Sequence, residues 1–458
     1  MSPEARAFAG DQVPPGPKPI PDEKSVPELE PADTWTLVEA SAEDGDAAGV
    51  TAEPDPEANP EPAHPHVAVS GGPPHVLIIG GGGTGGALAH DLVLRGLRVT
   101  LVERGEVTSG ATGRHHGLLH SGARYVTTDR AAAVECVVEN KLLRRIAPGS
   151  LEENDGLFVA LTDEDAEFEK QFTEACWQCA LPNKRLTRDE ALRLEPGLNP
   201  GLLFAIQVPD ATMDAMRLPL RFFATARRNG ADVRPFTEVV GITTSGRTVT
   251  GAKVRDIASG REYEIGADVV VNAAGPWVGR VAGLAGVKVG VTLSPGVLLA
   301  VAGRRCNMVV NRLHPPGDGD IVVPQRGRTI LGTTSWIADD PAEPVIPTGH
   351  VETILRETSA LLPGLAQAEI LARWTAVRPL VTSTAGRGRG PAREIECIDH
   401  AADRKPTDGL VTIAGGKATT MRAMAEAAAN TVCAKLGVDE PCRTGEVVLL
   451  PHTAWYNA

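Results

Sequence analysis

From His75 onward the chain alternates apolar runs with glycine-rich turns and helical periodicity. Val76-Leu77-Ile78-Ile79 is continuously apolar, the pattern of a strand buried on both faces. The glycine cluster Gly80 to Gly86 follows. Ala87-Leu88-Ala89-His90-Asp91-Leu92-Val93-Leu94 then reads as a helix that stops at Gly96, and Val99-Thr100-Leu101-Val102 as a second strand closed by Glu103. This is a complete βαβ unit. From Asp232 to Gly266, strand-like runs alternate with Ser245-Gly246-Arg247 and Ser259-Gly260-Arg261, which sit where hairpins turn. Asp268-Val269-Val270-Val271-Asn272 and Leu410-Val411-Thr412-Ile413-Ala414 are further buried strands. After the second of these, Gly415-Gly416-Lys417 is expected to open a helix that reaches Leu436. Residues 127–209 and 287–376 mix helix and strand patterns and read as an inserted domain. The fold class is therefore α/β, with an inserted α+β domain.

Residues 1–74 follow no such pattern. They hold 15 of the 36 prolines, and 15 acidic against 3 basic residues. Such a segment cannot bury enough apolar surface to offset its ordering entropy, so disorder is expected. Its short run Trp35-Thr36-Leu37-Val38 reads as solvated chain. The tail carries −12 of the −13 total charge, so overall acidity does not exclude anionic ligands elsewhere. There is no basic footprint of a nucleic-acid binder. No apolar run approaches the roughly 18–20 residues of a membrane span, and the N-terminus lacks a basic-then-apolar leader. Seven cysteines, an odd number, fit a reducing compartment better than a disulfide framework. A cytoplasmic protein is expected, peripheral on the inner membrane face if it reaches a membrane.

Gly80-x-Gly82-x-x-Gly85 matches G-x-G-x-x-G between the strand and the helix. Glycines there permit a tight turn and close approach of backbone amides to a pyrophosphate, with the helix dipole in support. Glu103, 18 residues after Gly85, suits a ribose hydroxyl and would repel the 2′-phosphate of NADP. The fingerprint alone leaves NAD and FAD open. Gly110 to Tyr125, directly after the second strand, is rich in small residues and amide donors. It suits a long cofactor lying across the sheet, as FAD does.

These residues resemble the FAD-dependent glycerol-3-phosphate dehydrogenases, and most closely the flavoprotein subunit of the anaerobic enzymes. The segments that carry the resemblance run in order: Ile79 to Gly85, Gly110 to Tyr125 (GATGRHHGLLHSGARY), Glu135 to Glu139 (ECVVE), Asn272 to Trp277 (NAAGPW), Ile330 to Ser335 (ILGTTS), Val377 to Leu380 (VRPL) and Gly415 to Arg422 (GGKATTMR). The resemblance implies a doubly wound, glutathione-reductase/amine-oxidase-like FAD domain assembled from 75–126, 210–286 and 377–437. It implies a substrate domain from 127–209 and 287–376, with 438–458 as an extension. The implied reaction is oxidation of sn-glycerol 3-phosphate to dihydroxyacetone phosphate, with hydride passing to the flavin.

The resemblance also implies the site. Gly80, Gly82, Thr84, Gly85, Glu103, Arg104, Thr112, Gly113, Gly117, Ala274, Gly275, Gly416 and Lys417 would hold FAD. Arg124, Tyr125, Arg393 and Lys417 would surround the substrate, whose phosphate needs cationic donors. Arg393 is preferred over Arg387 and Arg389 because it precedes the run Ile395 to Asp399. Arg378, flanked by apolar residues, is assigned to catalysis together with His120. His115, His116 and His314 are the other histidines weighed as base.

Three departures stand out. The family often has Lys-Gly-Ser where this chain has Pro295-Gly296-Val297, so a positive charge is expected to be missing near the substrate. Met421 replaces a usual tyrosine. The anaerobic flavoprotein usually continues into an iron–sulfur domain rich in cysteine. Cys176-x-x-Cys179 has no second pair at suitable spacing and reads as structural, with no metal. Electron exit is left open between an iron–sulfur or membrane-anchor subunit, quinone and oxygen. Two other readings share these residues: a relative acting on another hydroxy acid or amine, and a flavin-binding subunit with little activity by itself.

Overall fold

A computed structural model describes residues 72–342, 344–381, 395–403 and 407–457. Most of the expected acidic tail, and Arg387, Arg389 and Arg393, lie outside the described residues. His75–Ile79 is buried at every position and occupies the interior of a six-stranded sheet. The strand order is Ile395–Asp399, Leu410–Gly415, Val269–Asn272, His75–Ile79, Arg98–Val102, Asp232–Arg234. All neighbours are parallel except the antiparallel edge strand Ile395–Asp399.

The two faces of the first strand feed two cores, as alternation along a strand requires. Val76 and Ile78 join a cluster with Leu88, Phe222, Phe223, Ala425 and Val432, contributed by the helices Gly83–Leu94, Arg217–Arg228 and Met421–Leu436. Leu77 and Ile79 join Val249, Ala252, Val254 and Ile265 of an antiparallel three-stranded sheet, Thr237–Ser245, Thr248–Asp256 and Glu262–Gly266. The hairpin turns fall at the two serine-glycine sites expected from the sequence. Trp455, in the last described turn, packs at a tilt against Phe223 with ring centres 5.7 Å apart, so the C-terminal segment covers the first core.

A second sheet has eight strands, in the order Ile370–Val381, Val291–Ala302, Arg328–Gly332, Ile321–Gln325, Val309–Arg312, Gly156–Ala160, Phe204–Val208, Lys184–Thr187. It draws on both segments read as inserted. The expected boundary between residues 376 and 377 falls inside the strand Ile370–Val381, which carries Arg378 in this second sheet. A second difference concerns Gly415 and Gly416. Their φ values of 81° and 67° are left-handed, so the chain bends away at the strand end, and the helix starts only at Met421. No helix among the described residues is long and apolar enough to cross a membrane.

Candidate active site

Two cavities line the carboxyl ends of the parallel strands and share Gly83, Thr84, Ala111, Thr112, Ala273, Gly275 and Pro276. They form one crevice at the place where open α/β sheets bind ligands.

The first end is shaped by glycine. Gly80 has φ +115°, and a Cβ there would stand 2.6 Å from the Ala273 carbonyl oxygen. A Cβ on Gly85 would stand 2.0 Å from the Gly80 carbonyl oxygen, so no other residue lets the helix enter this close. The helix Gly83–Leu94 has no side-chain cap and no acidic residue in its first turn. No charge of the helix itself offsets its amino-terminal dipole, which favours an anion there. The Gly83 amide donates to Thr112 Oγ1 at 2.9 Å, tying the Gly110 to Tyr125 segment to the cradle. Glu103 accepts the Gly81 amide at 2.7 Å and the Gly105 amide at 2.8 Å, one on each carboxylate oxygen. Each oxygen keeps a lone pair for a hydroxyl. Arg104 lies over the Trp277 ring at 4.7 Å, and both line this end with Gly82 and Ala274. Gly85, Gly113 and Gly117 line neither cavity. Gly85 serves the close approach of the helix, and the other two serve local backbone packing: a Cβ on Gly113 would meet the Thr108 carbonyl oxygen at 2.6 Å.

The second end collects the polar groups. His115, His116, His120, Tyr125, Thr333, Arg378, Gly416 and Lys417 line it, with Met421 and Met424. Arg378 donates to the Thr334 carbonyl at 3.3 Å, to Thr333 Oγ1 and to the Ser294 carbonyl at 3.5 Å. The side chain of Lys417 is buried, with Nζ 5.1 Å from the centre of the Tyr125 ring and 3.9 Å from Glu135 Oε2. The buried His120 packs its ring 5.2 Å from that of Tyr125, and its amide donates to Thr419 Oγ1 at 3.0 Å.

His115 and His116 share one arrangement. The Gly117 amide donates to His115 Nδ1 at 2.9 Å, and the Leu118 amide to His116 Nδ1 at 3.1 Å. An amide can only donate, so each Nδ1 is the unprotonated nitrogen and each neutral ring carries its proton on Nε2. Burial lowers the His115 pKa to about 4, which keeps that ring neutral.

Arg124 departs from expectation. Its guanidinium does not line the crevice; it makes a fork with Asp320 at 2.6 and 3.1 Å and donates to the Gly317 carbonyl at 2.7 Å. Burial alone would raise the Asp320 pKa, but Arg124 and His314 outweigh it and hold the carboxyl well below the usual range. His314, on the far side of that pair at 3.3 Å, also stands outside the crevice. Cys176 and Cys179 are buried free thiols, and burial pushes both upward. The residues passed over in the sequence are Trp277, Thr333 and Gly296. The first two sit inside motifs that mark the family without declaring a role.

The donor set fits an FAD: a glycine cradle that any Cβ would fill, an uncapped helix end, a strand-end carboxylate, and at the far end the buried Nε2 of His115, which has no partner among the described residues. Known proteins point the same way. The profile of the family described as FAD dependent oxidoreductase matches residues 75–431. The chain is 42% identical over 377 residues to one subunit of the anaerobic glycerol-3-phosphate dehydrogenase of Escherichia coli (strain K12), covering 82% of this chain and 69% of that protein. Among solved structures, the glycerol-3-phosphate dehydrogenase of Bacillus halodurans complexed with FAD matches with a TM-score of 0.63 and 26% identity, covering 82% of this chain and 68% of that one. The L-alpha-glycerophosphate oxidase of Mycoplasma pneumoniae with FAD bound shares the fold, at a TM-score of 0.65, 20% identity, and coverage of 82% of this chain and 99% of that one.

Proposed function

The chain belongs to the FAD-dependent oxidoreductases and, within them, to the FAD-dependent glycerol-3-phosphate dehydrogenases; from that membership we propose that it oxidises the secondary alcohol of sn-glycerol 3-phosphate to the ketone of dihydroxyacetone phosphate. FAD, when bound, supplies the acceptor for the hydride leaving the carbinol carbon. The observation that carries the substrate assignment is the pairing of two cations, Arg378 and Lys417, in one cavity with His120 and Tyr125.

Lys417 and Arg393 hold the phosphate in this reading, and Tyr125 packs beside Lys417. Arg378, fixed by the Thr334 and Ser294 carbonyls, directs its fork at the hydroxyl oxygen as negative charge develops there. His120 takes the hydroxyl proton. His115 and His116 are unsuited to that role, because the only lone-pair nitrogen of each neutral ring already accepts a backbone amide. Arg124 is left out of the substrate set and assigned to holding the Gly122–Tyr125 turn against Asp320. Residues around the six-stranded sheet form the cofactor domain, and those around the eight-stranded sheet the substrate domain.

The Escherichia coli relative is named as a subunit, which supports electron exit through a partner subunit; a quinone as acceptor, and a place in the cytoplasm or at the inner membrane face, belong to the proposal. The test is anaerobic addition of sn-glycerol 3-phosphate to the FAD-loaded protein while the flavin absorbance is followed. Rapid bleaching is expected. A persistent band in fully loaded protein, or bleaching only with another hydroxy acid or an amine, overturns the substrate assignment.

A further inference from the structure

The stretch that holds the Arg378 guanidinium belongs to no strand. Both Nη atoms donate to the Thr334 carbonyl, at 3.3 and 3.4 Å, and Nη2 also donates to Thr333 Oγ1. Thr333 and Thr334 lie between the strand Arg328–Gly332 and the helix His350–Leu361, so no ladder of paired strands fixes them. Single bonds do. The Gly319 amide donates to the Thr333 carbonyl at 2.8 Å, and the Ser335 amide to Asp318 Oδ2 at 3.1 Å. Between these two points Thr334 is buried and held through its hydroxyl. Its Oγ1 accepts the Val297 amide at 3.4 Å and shares a shorter hydrogen bond with His350 Nδ1, at 2.8 Å. The His350 ring also meets the Trp336 ring at 87°, with centres 5.2 Å apart. The Thr334 carbonyl in turn sits over Gly296, where a Cβ would come within 2.6 Å of it. Close packing of that kind resists compression, whereas a hydrogen bond on the same residue resists separation.

His350 lines neither cavity. It reaches Thr334 through the side chain, and Thr334 reaches the arginine through its carbonyl. We propose that His350 is a positioning residue for Arg378, acting through Thr334. The inference rests on the reading of Arg378 as the group that meets the charge developing on the hydroxyl oxygen. A fork placed for the transition state lowers the barrier only while its N–H groups point at that oxygen, and an error near 1 Å costs about a hundredfold. Loosening Thr334 therefore slows the oxidation more than it weakens substrate binding, since the phosphate is assigned to Lys417 and Arg393.

The test follows anaerobic bleaching of the FAD-loaded, full-length protein at increasing sn-glycerol 3-phosphate, which separates the limiting rate from the substrate dissociation constant. His350→Ala is expected to lower the limiting rate about tenfold and to leave the dissociation constant within about twofold of wild type. His350→Asn, whose side-chain amide reaches about as far as Nδ1, is expected to restore most of the rate. In an Arg378→Met background His350→Ala is expected to cost nothing further, because the group it positions is gone. An unchanged limiting rate in His350→Ala, even with a lower thermal midpoint, would show a structural role only and overturn the proposal. A loss that multiplies that of Arg378→Met, or a rise in the dissociation constant alone, would overturn it too. Thr334→Val removes the hydroxyl and keeps the carbonyl, so it should reproduce the loss, and it decides the matter if His350→Ala fails to fold. A wild-type limiting rate in Arg378→Met would overturn the reading of Arg378 itself, and with it the role given to His350.

Discussion

The guanidinium of Arg378 occupies the space into which any side chain at position 296 would project. A Cβ on Gly296 would stand 2.6 Å from Nη2 and 3.0 Å from Nη1. The two residues lie on paired strands, with Ser294 opposite Arg378 and Pro295 opposite Val377. The departure at Pro295-Gly296-Val297 therefore keeps the one feature that Arg378 requires, an absent side chain. Gly296→Ala is expected to displace the arginine and lower kcat/KM about a hundredfold. Arg378→Lys, which keeps the charge and loses the fork, is expected to cost at least as much. Anaerobic flavin bleaching in single turnover measures both. Near-wild-type rates in Gly296→Ala would remove Arg378 from the chemistry.

Arg124 and Asp320 form a buried pair with side-chain exposures of 12% and 2%. Breaking such a pair by removing one partner costs about 3–5 kcal/mol, whereas replacing both with apolar groups is often neutral. Asp320→Ala should lose stability on that scale in urea titration, and Arg124→Met with Asp320→Leu should recover most of it. If Arg124→Met alone left stability unchanged while raising KM sharply, the arginine would belong to the substrate set after all.

Glu103 holds two backbone amides with its two oxygens. Glu103→Gln sets an NH2 group against one of them, donor facing donor. FAD affinity is expected to fall about tenfold, read from the recovery of free flavin fluorescence on dilution. Unaltered retention would mean that the carboxylate only shapes the turn.

Acid sensitivity follows from the buried histidines. His90 is fully buried, neither ring nitrogen has a partner among the described residues, and burial lowers its pKa to about 4. The unfolded chain takes up this proton below about pH 6.5 and the folded chain only near pH 4. Stability from the neutral ring is thus present above pH 6.5 and lost as the pH falls to 4, by up to about 3 kcal/mol. Asp210 works in the opposite sense. Burial raises its pKa to about 6, so the folded state binds that proton more readily and gains stability as the pH falls below 6. His90→Leu isolates the first effect. It should be at least as stable as wild type at pH 7 and should flatten the loss between pH 6.5 and 4 in denaturation midpoints. An unchanged pH slope would contradict the assignment.

The first βαβ unit was legible because its strand is apolar throughout and its turn must be glycine. The far end of the crevice was legible only in part. Lys417 and Tyr125 lie in motifs that name them, but the commitment of Arg124 to Asp320 depends on a contact between residues 196 positions apart, which no local pattern reports. The reading of Gly415-Gly416 as a helix start failed for a local reason: consecutive left-handed φ values are invisible in the letters, since glycine serves turns and helix ends alike. The boundary at residue 376 was drawn where the motif begins, although the strand around Arg378 runs on without a break.

The order of the six-stranded sheet also bears on how the protein is made. His75–Ile79 pairs with Val269–Asn272, and that strand pairs with Leu410–Gly415. A chain leaving the ribosome exposes its glycine cradle early, yet it lacks the strand Leu410–Gly415, and then Lys417 and Met424, until more than 300 further residues have been translated. Cofactor loading is therefore expected to wait for the strand Leu410–Gly415 and the helix after it. Ribosome-bound chains stalled before Leu410 should carry no flavin, whereas chains stalled well beyond Leu436 should.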